Sequence, residues 1–195
     1  MKIVNLKTLE GQEVEGLRLI QPEIFNDHRG FFYESWNQVK FNENVGESIS
    51  FHQDNISFSK KDTIRGLHYQ LNPKPQGKLI SCSFGSVFDV AVDLRSQSLT
   101  FGSWIGVELS FENNHQLWIP PGFAHGFLVV SEFAQVQYKV NGFWDKSSER
   151  SIYWNDPELS IEWPIKNIAS FKPIISTKDF SSPMFNQVKI KGDIF

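Results

Sequence analysis

An all-β sandwich or barrel is the fold class this sequence predicts, and three observations predict it. Short runs of alternating apolar and polar residues recur along the chain, each closed by a turn signal rich in Gly, Asn, Asp or Pro. Helical periodicity is nearly absent before residue 155. The composition, with 18 Phe, 6 Trp and 4 Tyr, favours pleated, half-buried surfaces, where aromatic side chains pack well.

Taken in order, residues 1–25 are extended, with a turn at Gly11 and a break at Gly16 before the strand Leu17-Arg18-Leu19-Ile20. Asn26-Asp27 followed by Gly30 reads as a tight turn feeding the aromatic strand Phe31 to Glu34. Residues 35–47 form the one short helix expected before the tail, with Trp36, Val39 and Phe41 as its apolar contacts. From Phe51 to Ser59 the residues alternate, placing Gln53, Asn55 and Ser57 on one face; such a polar row reads as a solvated strand face. Lys78 to Phe84 leads through Gly85-Ser86 into Val87 to Arg95, the pattern of a β-hairpin. Lys78 shares its parity with Ile80, Cys82 and Phe84, so it either reaches back to water from a strand end or faces the interior. On the second arm Asp89 and Asp93 oppose an apolar row and read as an outer face. Strands follow at 103–111, 116–119, 123–130 and 133–140, with Val136, Tyr138 and Val140 pointing inward. Short helices or 3₁₀ turns are expected after Trp154, covering one end of the barrel.

At 195 residues the chain is long enough for one well-buried domain spanning 1–195, and no linker or repeat divides it. A net charge of −3 excludes a global basic field of the kind that draws proteins to nucleic acid, so any anion site is local. The single cysteine, Cys82, excludes an internal disulfide framework and fits a reducing compartment. Neither a signal-peptide core nor an apolar run of membrane-spanning length occurs, and a cytoplasmic protein is expected.

The motifs narrow the chemistry by elimination. No phosphate-binding glycine loop and no G-x-S-x-G elbow is present, which argues against dinucleotide, P-loop and serine-hydrolase chemistry. The five histidines, His28, His52, His68, His115 and His125, form neither H-x-H nor H-x-x-x-H pairs, and no metal is expected. Acid–base chemistry without a cofactor is left, drawing on His68, Lys78, His125, Tyr138 and a carboxylate. Removing a proton from carbon needs a base to take it and a cation to hold the charge left behind. The stretch Ile64-Arg65-Gly66-Leu67-His68-Tyr69-Gln70, followed by Lys78, offers both.

Several stretches in this order resemble the dTDP-4-dehydrorhamnose 3,5-epimerases of nucleotide-sugar metabolism: Asp27-x-Arg29-Gly30-x-Phe32-x-Glu34, Gln53-x-Asn55-x-Ser57, Arg65-Gly-Leu-His68-Tyr-Gln70 and Gly77-Lys78-Leu79. The resemblance continues through Phe88 to Arg95, Gln116 to Pro120, Gly122-Phe-Ala-His125-Gly-Phe127, Tyr138-Lys139 and Trp154-Asn-Asp-Pro157. It implies a cupin-type jelly-roll barrel with short helices near the C-terminus, a homodimer, no metal and no cofactor. The substrate it implies is dTDP-4-dehydro-6-deoxy-D-glucose, inverted at C3 and C5 to give dTDP-4-dehydro-L-rhamnose. Both carbons flank the C4 ketone, so each proton is acidified by the same carbonyl.

By the same resemblance His68 is the base, Asp179 the carboxylate that orients it, Tyr138 the acid on the opposite face, and Lys78 the partner of the C4 oxyanion. Arg29, Glu34, Gln53, Asn55, Arg65, Lys78, His125, Glu149 and Lys178 match positions that hold the substrate, and Trp144 matches the aromatic that stacks on thymine. Family strands cross between subunits, which offers Arg29 and Glu34 to a partner's pocket. A single-centre epimerase keeps the whole constellation; a sugar 3,4-ketoisomerase, whose barrels are generally shorter, lacks an acid matching Tyr138, and a non-catalytic cupin that binds a sugar or metal is the alternative of a different class. One departure concerns spacing, since the segment from Pro164 to Lys178 is longer than the family's. Another concerns parity: Arg65 and His68 fall on opposite faces of an ideal strand, and share a pocket only if Gly66 marks a bulge or twist.

Overall fold

The computed structural model describes residues 1–46, 48–166 and 170–195. Two antiparallel sheets face one another. The first is six-stranded and orders β1 (Lys2–Lys7), β2 (Glu13–Gln21), β10 (Gln116–Ile119), β7 (Lys78–Phe84), β12 (Phe133–Val140) and β5 (Gln53–Lys60). The second is five-stranded and orders β13 (Glu149–Ser151), β6 (Ile64–Gln70), β11 (Phe123–Val129), β8 (Ser86–Asp93) and β9 (Trp104–Ser110). A small hairpin of β3 (Phe25–Asp27) and β4 (Gly30–Phe32) stands apart from both. Three short helices complete the described residues: α1 (Gln38–Val45), α2 (Thr177–Phe180) and α3 (Phe185–Lys191). Helix α1 is shorter than the 35–47 expected, and Glu47 lies outside the described residues.

Strands adjacent in sequence often lie in different sheets, which is the jelly-roll arrangement, and this corrects one expectation. β7 and β8 do not pair as a hairpin: β7 lies between β10 and β12, whereas β8 lies between β11 and β9. Gly85 is the corner where the chain passes from one sheet to the other. Its φ is +70°, and a Cβ there would sit 2.0 Å from the Phe133 carbonyl oxygen, so a side chain has neither the backbone conformation nor the room.

Apolar side chains from both inner faces fill one end of the barrel, among them Leu17, Ile80, Val87, Leu109 and Leu117, all fully buried. Each such side chain contributes roughly 1.5–3 kcal/mol relative to exposure. A second core lies between the outer face of the five-stranded sheet and the C-terminal segment, where Trp154, Trp163, Phe185 and Val188 pack on Val90 and Val92. Helix α1 covers part of the outer face of the six-stranded sheet, setting Phe41 edge-on to Trp118 at 5.5 Å. Asn37 starts that helix by accepting the Lys40 N–H, and Gly46 ends it in the left-handed region.

The polar row on β5 is not a solvated face. Gln53, Asn55 and Ser57 are half-buried toward the barrel interior, while Ile56 and Phe58 are 64% and 58% exposed. Asp89 and Asp93 are likewise not on an outer face, because both are fully buried. Asp93 is tied down by Arg95, Ser98 and Thr100. Burying apolar residues on both sides of β8 forces its acids inward as well, and each needs a partner to stay there.

Candidate active site

Where β6 pairs with β11 at Gly66, the backbones approach too closely for a side chain. A Cβ on Gly66 would lie 2.6 Å from Gly126 Cα and 2.6 Å from the His125 carbonyl oxygen, and the Gly66 φ is +113°. The register of the pair slips at this point: His125 faces His68, but Phe127 faces Arg65. That slip breaks the strict alternation of β6, so Arg65 and His68 both line one cavity.

The cavity, of about 550 Å³, opens between the two sheets. Arg65 and His68 on β6 and His125 on β11 come from one sheet; Ser57 on β5, Lys78 on β7 and Tyr138 on β12 come from the other. Phe127, Ile174 and Ile175 give it an apolar wall, and Lys178 and Asp179 stand at its edge.

The segment before α2 holds that edge in place. Ile174 bridges Thr63 in parallel and exchanges backbone hydrogen bonds with Asp62 and Ile64, and Ser176 then caps α2 by accepting the Asp179 N–H. Asp179 is thereby brought to His68, Oδ1 lying 2.6 Å from the imidazole Nε2. Burial alone would raise the Asp179 pKa, but the hydrogen bond and charge of His68, with the Gly66 and Ser176 contacts, hold it below the ordinary carboxylate value. An ionised carboxylate only accepts, so the Nε2 that faces it is the donor and Nδ1 is the nitrogen left free of this contact.

Lys78 faces the cavity between the sheets, half-buried. Burial lowers its pKa to about 8, opposed by the charges of Asp89 and Glu149. His125 is also buried, and its imidazole is pushed toward the neutral form by desolvation, against the attraction of Asp89. The Asp89 carboxylate sits 2.9 Å from His125 Nε2. Asp89 is a site residue that sequence reasoning missed. Its signal was the near-continuous apolar run around it in β8, which marks a strand buried on both faces.

Tyr138 is half-buried, and desolvation raises its phenol pKa, with Arg65 pulling the other way, so the hydroxyl is protonated near neutrality. Ser59 accepts a hydrogen bond from Arg65 Nε at 3.0 Å, linking the two sheets at the cavity. Gln53 and Asn55 lie on the interior face of β5 and bond each other at 2.7 Å. The neighbouring Ser57 hydroxyl is buried with no hydrogen-bond partner among the described residues.

At the edge of the cavity, Lys178 pairs with Glu149 at 2.6 Å. Glu149 also accepts from the Trp144 side chain, and these bonds outweigh the effect of burial and lower its pKa. Trp144 is 59% exposed beside this pair. Arg29 and Glu34 are not brought to the cavity. Arg29 pairs with Asp27 on the exposed hairpin, and Glu34 pairs with Lys40 and Asn37.

This geometry can be set beside known proteins. A family model described as dTDP-4-dehydrorhamnose 3,5-epimerase matches residues 11–187. The dTDP-4-dehydrorhamnose 3,5-epimerase of Shigella flexneri is 52% identical over 173 residues, covering 89% of this chain and 93% of that protein. A crystal structure of dTDP-4-dehydrorhamnose 3,5-epimerase from Elizabethkingia anophelis superposes with a TM-score of 0.85 at 46% identity, covering 96% of this chain and 97% of the other. The dTDP-6-deoxy-D-glucose-3,5-epimerase of Legionella pneumophila, solved in complex with dTDP-4-keto-L-rhamnose, superposes with a TM-score of 0.87 at 43% identity, covering 97% and 96%.

Proposed function

The chain belongs to the dTDP-4-dehydrorhamnose 3,5-epimerase family, and from that premise we propose that it inverts C3 and C5 of dTDP-4-dehydro-6-deoxy-D-glucose. The observation that carries the mechanism is the placement of His68 and Tyr138. They stand on opposite sheets and face the same cavity. A base on one side of a sugar ring and an acid on the other convert enolisation into inversion.

In this reading the lone pair on His68 Nδ1 takes the proton from a carbon next to the C4 ketone. The C–H electrons pass into the carbonyl, forming an enolate whose C4 oxygen is held by the Lys78 ammonium. Asp179 stabilises the imidazolium that results. The Tyr138 hydroxyl gives its proton to the same carbon from the opposite face, and the ketone re-forms. Once the imidazolium has released its proton to solvent and the tyrosinate has taken one back, the other carbon beside C4 follows the same course. Arg65, His125, Gln53 and Asn55 hold the sugar and diphosphate, Lys178 and Glu149 border the nucleotide, and Trp144 stacks on the thymine. Asp89 supports the site from beneath by keeping a negative charge near Lys78 and His125.

A homodimer completes this reading. Ile56, Phe58 and Phe84 are all more than half exposed on the outer face of β5 and β7, and Phe58 stacks on Phe133 at 5.6 Å. An apolar patch of this kind favours a protein partner. The β3–β4 hairpin projects with Phe25 and Phe32 exposed, and in a dimer it would carry Arg29 and Glu34 to the neighbouring cavity. A reducing, cytoplasmic setting suits the single buried cysteine, Cys82. The direct test is product stereochemistry. NMR of the reaction with dTDP-4-dehydro-6-deoxy-D-glucose should show the L-rhamno ketosugar, and recovery of the D-gluco compound alone would refute the assignment.

A further inference from the structure

Gln70 ends the strand that carries His68, and it is 4% exposed. A buried carboxamide must spend its hydrogen bonds somewhere. Gln70 Nε2 donates to the Lys74 carbonyl at 2.8 Å and to the Phe143 carbonyl at 3.2 Å. Its Oε1 accepts the Asp145 N–H at 2.8 Å. Two of these three bonds go to the residues on either side of Trp144. The strand also acts from a second direction, since Gln70 lies opposite Glu149 in the β6–β13 pair, and Glu149 accepts from the Trp144 side chain. The main chain of Trp144 is therefore held before and after it, and its indole is held as well, while the ring remains 59% exposed.

An exposed aromatic on a free loop loses conformational freedom when it stacks on a ligand, and that loss subtracts from affinity. A loop fixed in advance avoids most of it. We propose that Gln70 is a positioning residue for nucleotide binding: it clamps the 143–145 backbone so that Trp144 is presented, in fixed relation to the strand bearing His68, to the base of a nucleoside diphosphate sugar. The inference rests on the reading of Trp144 as the base-stacking residue. It adds that the residue two beyond the base acts on substrate affinity without touching substrate.

The test is calorimetric titration with dTDP, and steady-state kinetics, of four full-length proteins: wild type, Gln70→Met, Trp144→Ala and the double variant. Methionine keeps the length and apolar bulk while removing the donor and acceptor. Gln70→Met should raise the dTDP Kd and the KM about ten-fold, with kcat within about two-fold of wild type. In the Trp144→Ala background the same change should cost nothing further, because the loop would then position nothing. Gln70→Glu keeps the acceptor for Asp145 and loses the donor to Phe143, giving a second variant whose Kd should also rise if Gln70→Met does not fold. An unchanged Kd in the Gln70 variants, with Trp144→Ala clearly weakened, would overturn the proposal and leave the stacking reading intact. Equal losses in both backgrounds would overturn it too, marking general damage to the fold. An unchanged Kd in Trp144→Ala would overturn the stacking reading itself.

Discussion

His68 and Asp179 lie 111 residues apart in the chain, yet Asp179 Oδ1 approaches His68 Nε2 to 2.6 Å. The contact depends on α2, a helix of 4 residues whose start is fixed by the Ser176 cap. A carboxylate in this position sets the tautomer of the imidazole and stabilises its charged form. Asp179→Asn should therefore lower kcat roughly a hundredfold, and His68→Ala by about a thousandfold or more, with both proteins still folded. Turnover assays beside circular dichroism check this, and an Asp179→Asn enzyme with wild-type kcat would remove the dyad from the mechanism.

The charge on Lys78 sets a pH dependence. Its folded pKa is lowered to about 8, chiefly by burial. In the proposed mechanism the oxyanion is held by the ammonium form, so kcat/KM should fall as pH rises through about 8. The charge of Asp89 works against that lowering. Asp89→Asn should consequently move the alkaline limb to lower pH, and a limb that stays in place or moves upward would contradict the proposed coupling.

Gly66→Ala tests the close approach of β6 to β11. The new methyl would meet Gly126 Cα and the His125 carbonyl at 2.6 Å, on a residue with φ of +113°. A loss of at least about 2 kcal/mol in urea unfolding is expected, from backbone strain and overlap together. Activity should fall further than stability explains, because Arg65 and His68 would no longer share the cavity.

Association is tested at the outer face of β5. Phe58→Glu places a charge in the exposed apolar row and should give a monomer in analytical ultracentrifugation. If Arg29 and Glu34 complete a neighbouring cavity, KM should rise in the same variant. A monomeric wild type would contradict the dimer.

How much of this was legible in the sequence depends on the kind of information each feature needs. Strand positions and the inward direction of Tyr138 follow from local alternation, which a single chain displays. The assignment of strands to sheets does not. Gly85 looked like a hairpin turn, and its role as a corner depends on Phe133, 48 residues away, whose carbonyl occupies the space a Cβ would need. The polar row Gln53, Asn55 and Ser57 misled for a related reason, since alternation shows that two faces differ but not which one is inside. Here the exposed row is the apolar one, Ile56 and Phe58. Arg65 and His68 were recognisable as a conflict of parity, and the structure resolves it at Gly66. Asp89 was read onto an outer face because its partner, His125, lies on another strand.

The most direct test of the central claim is proton exchange. In deuterated buffer, dTDP-4-dehydro-6-deoxy-D-glucose should acquire deuterium at both C3 and C5 while the L-rhamno product accumulates. Tyr138→Phe should retain exchange at one centre at least while blocking inversion. Deuterium confined to one centre in the wild-type reaction, or full inversion by Tyr138→Phe, would contradict the account of one base and one opposing acid acting on both carbons.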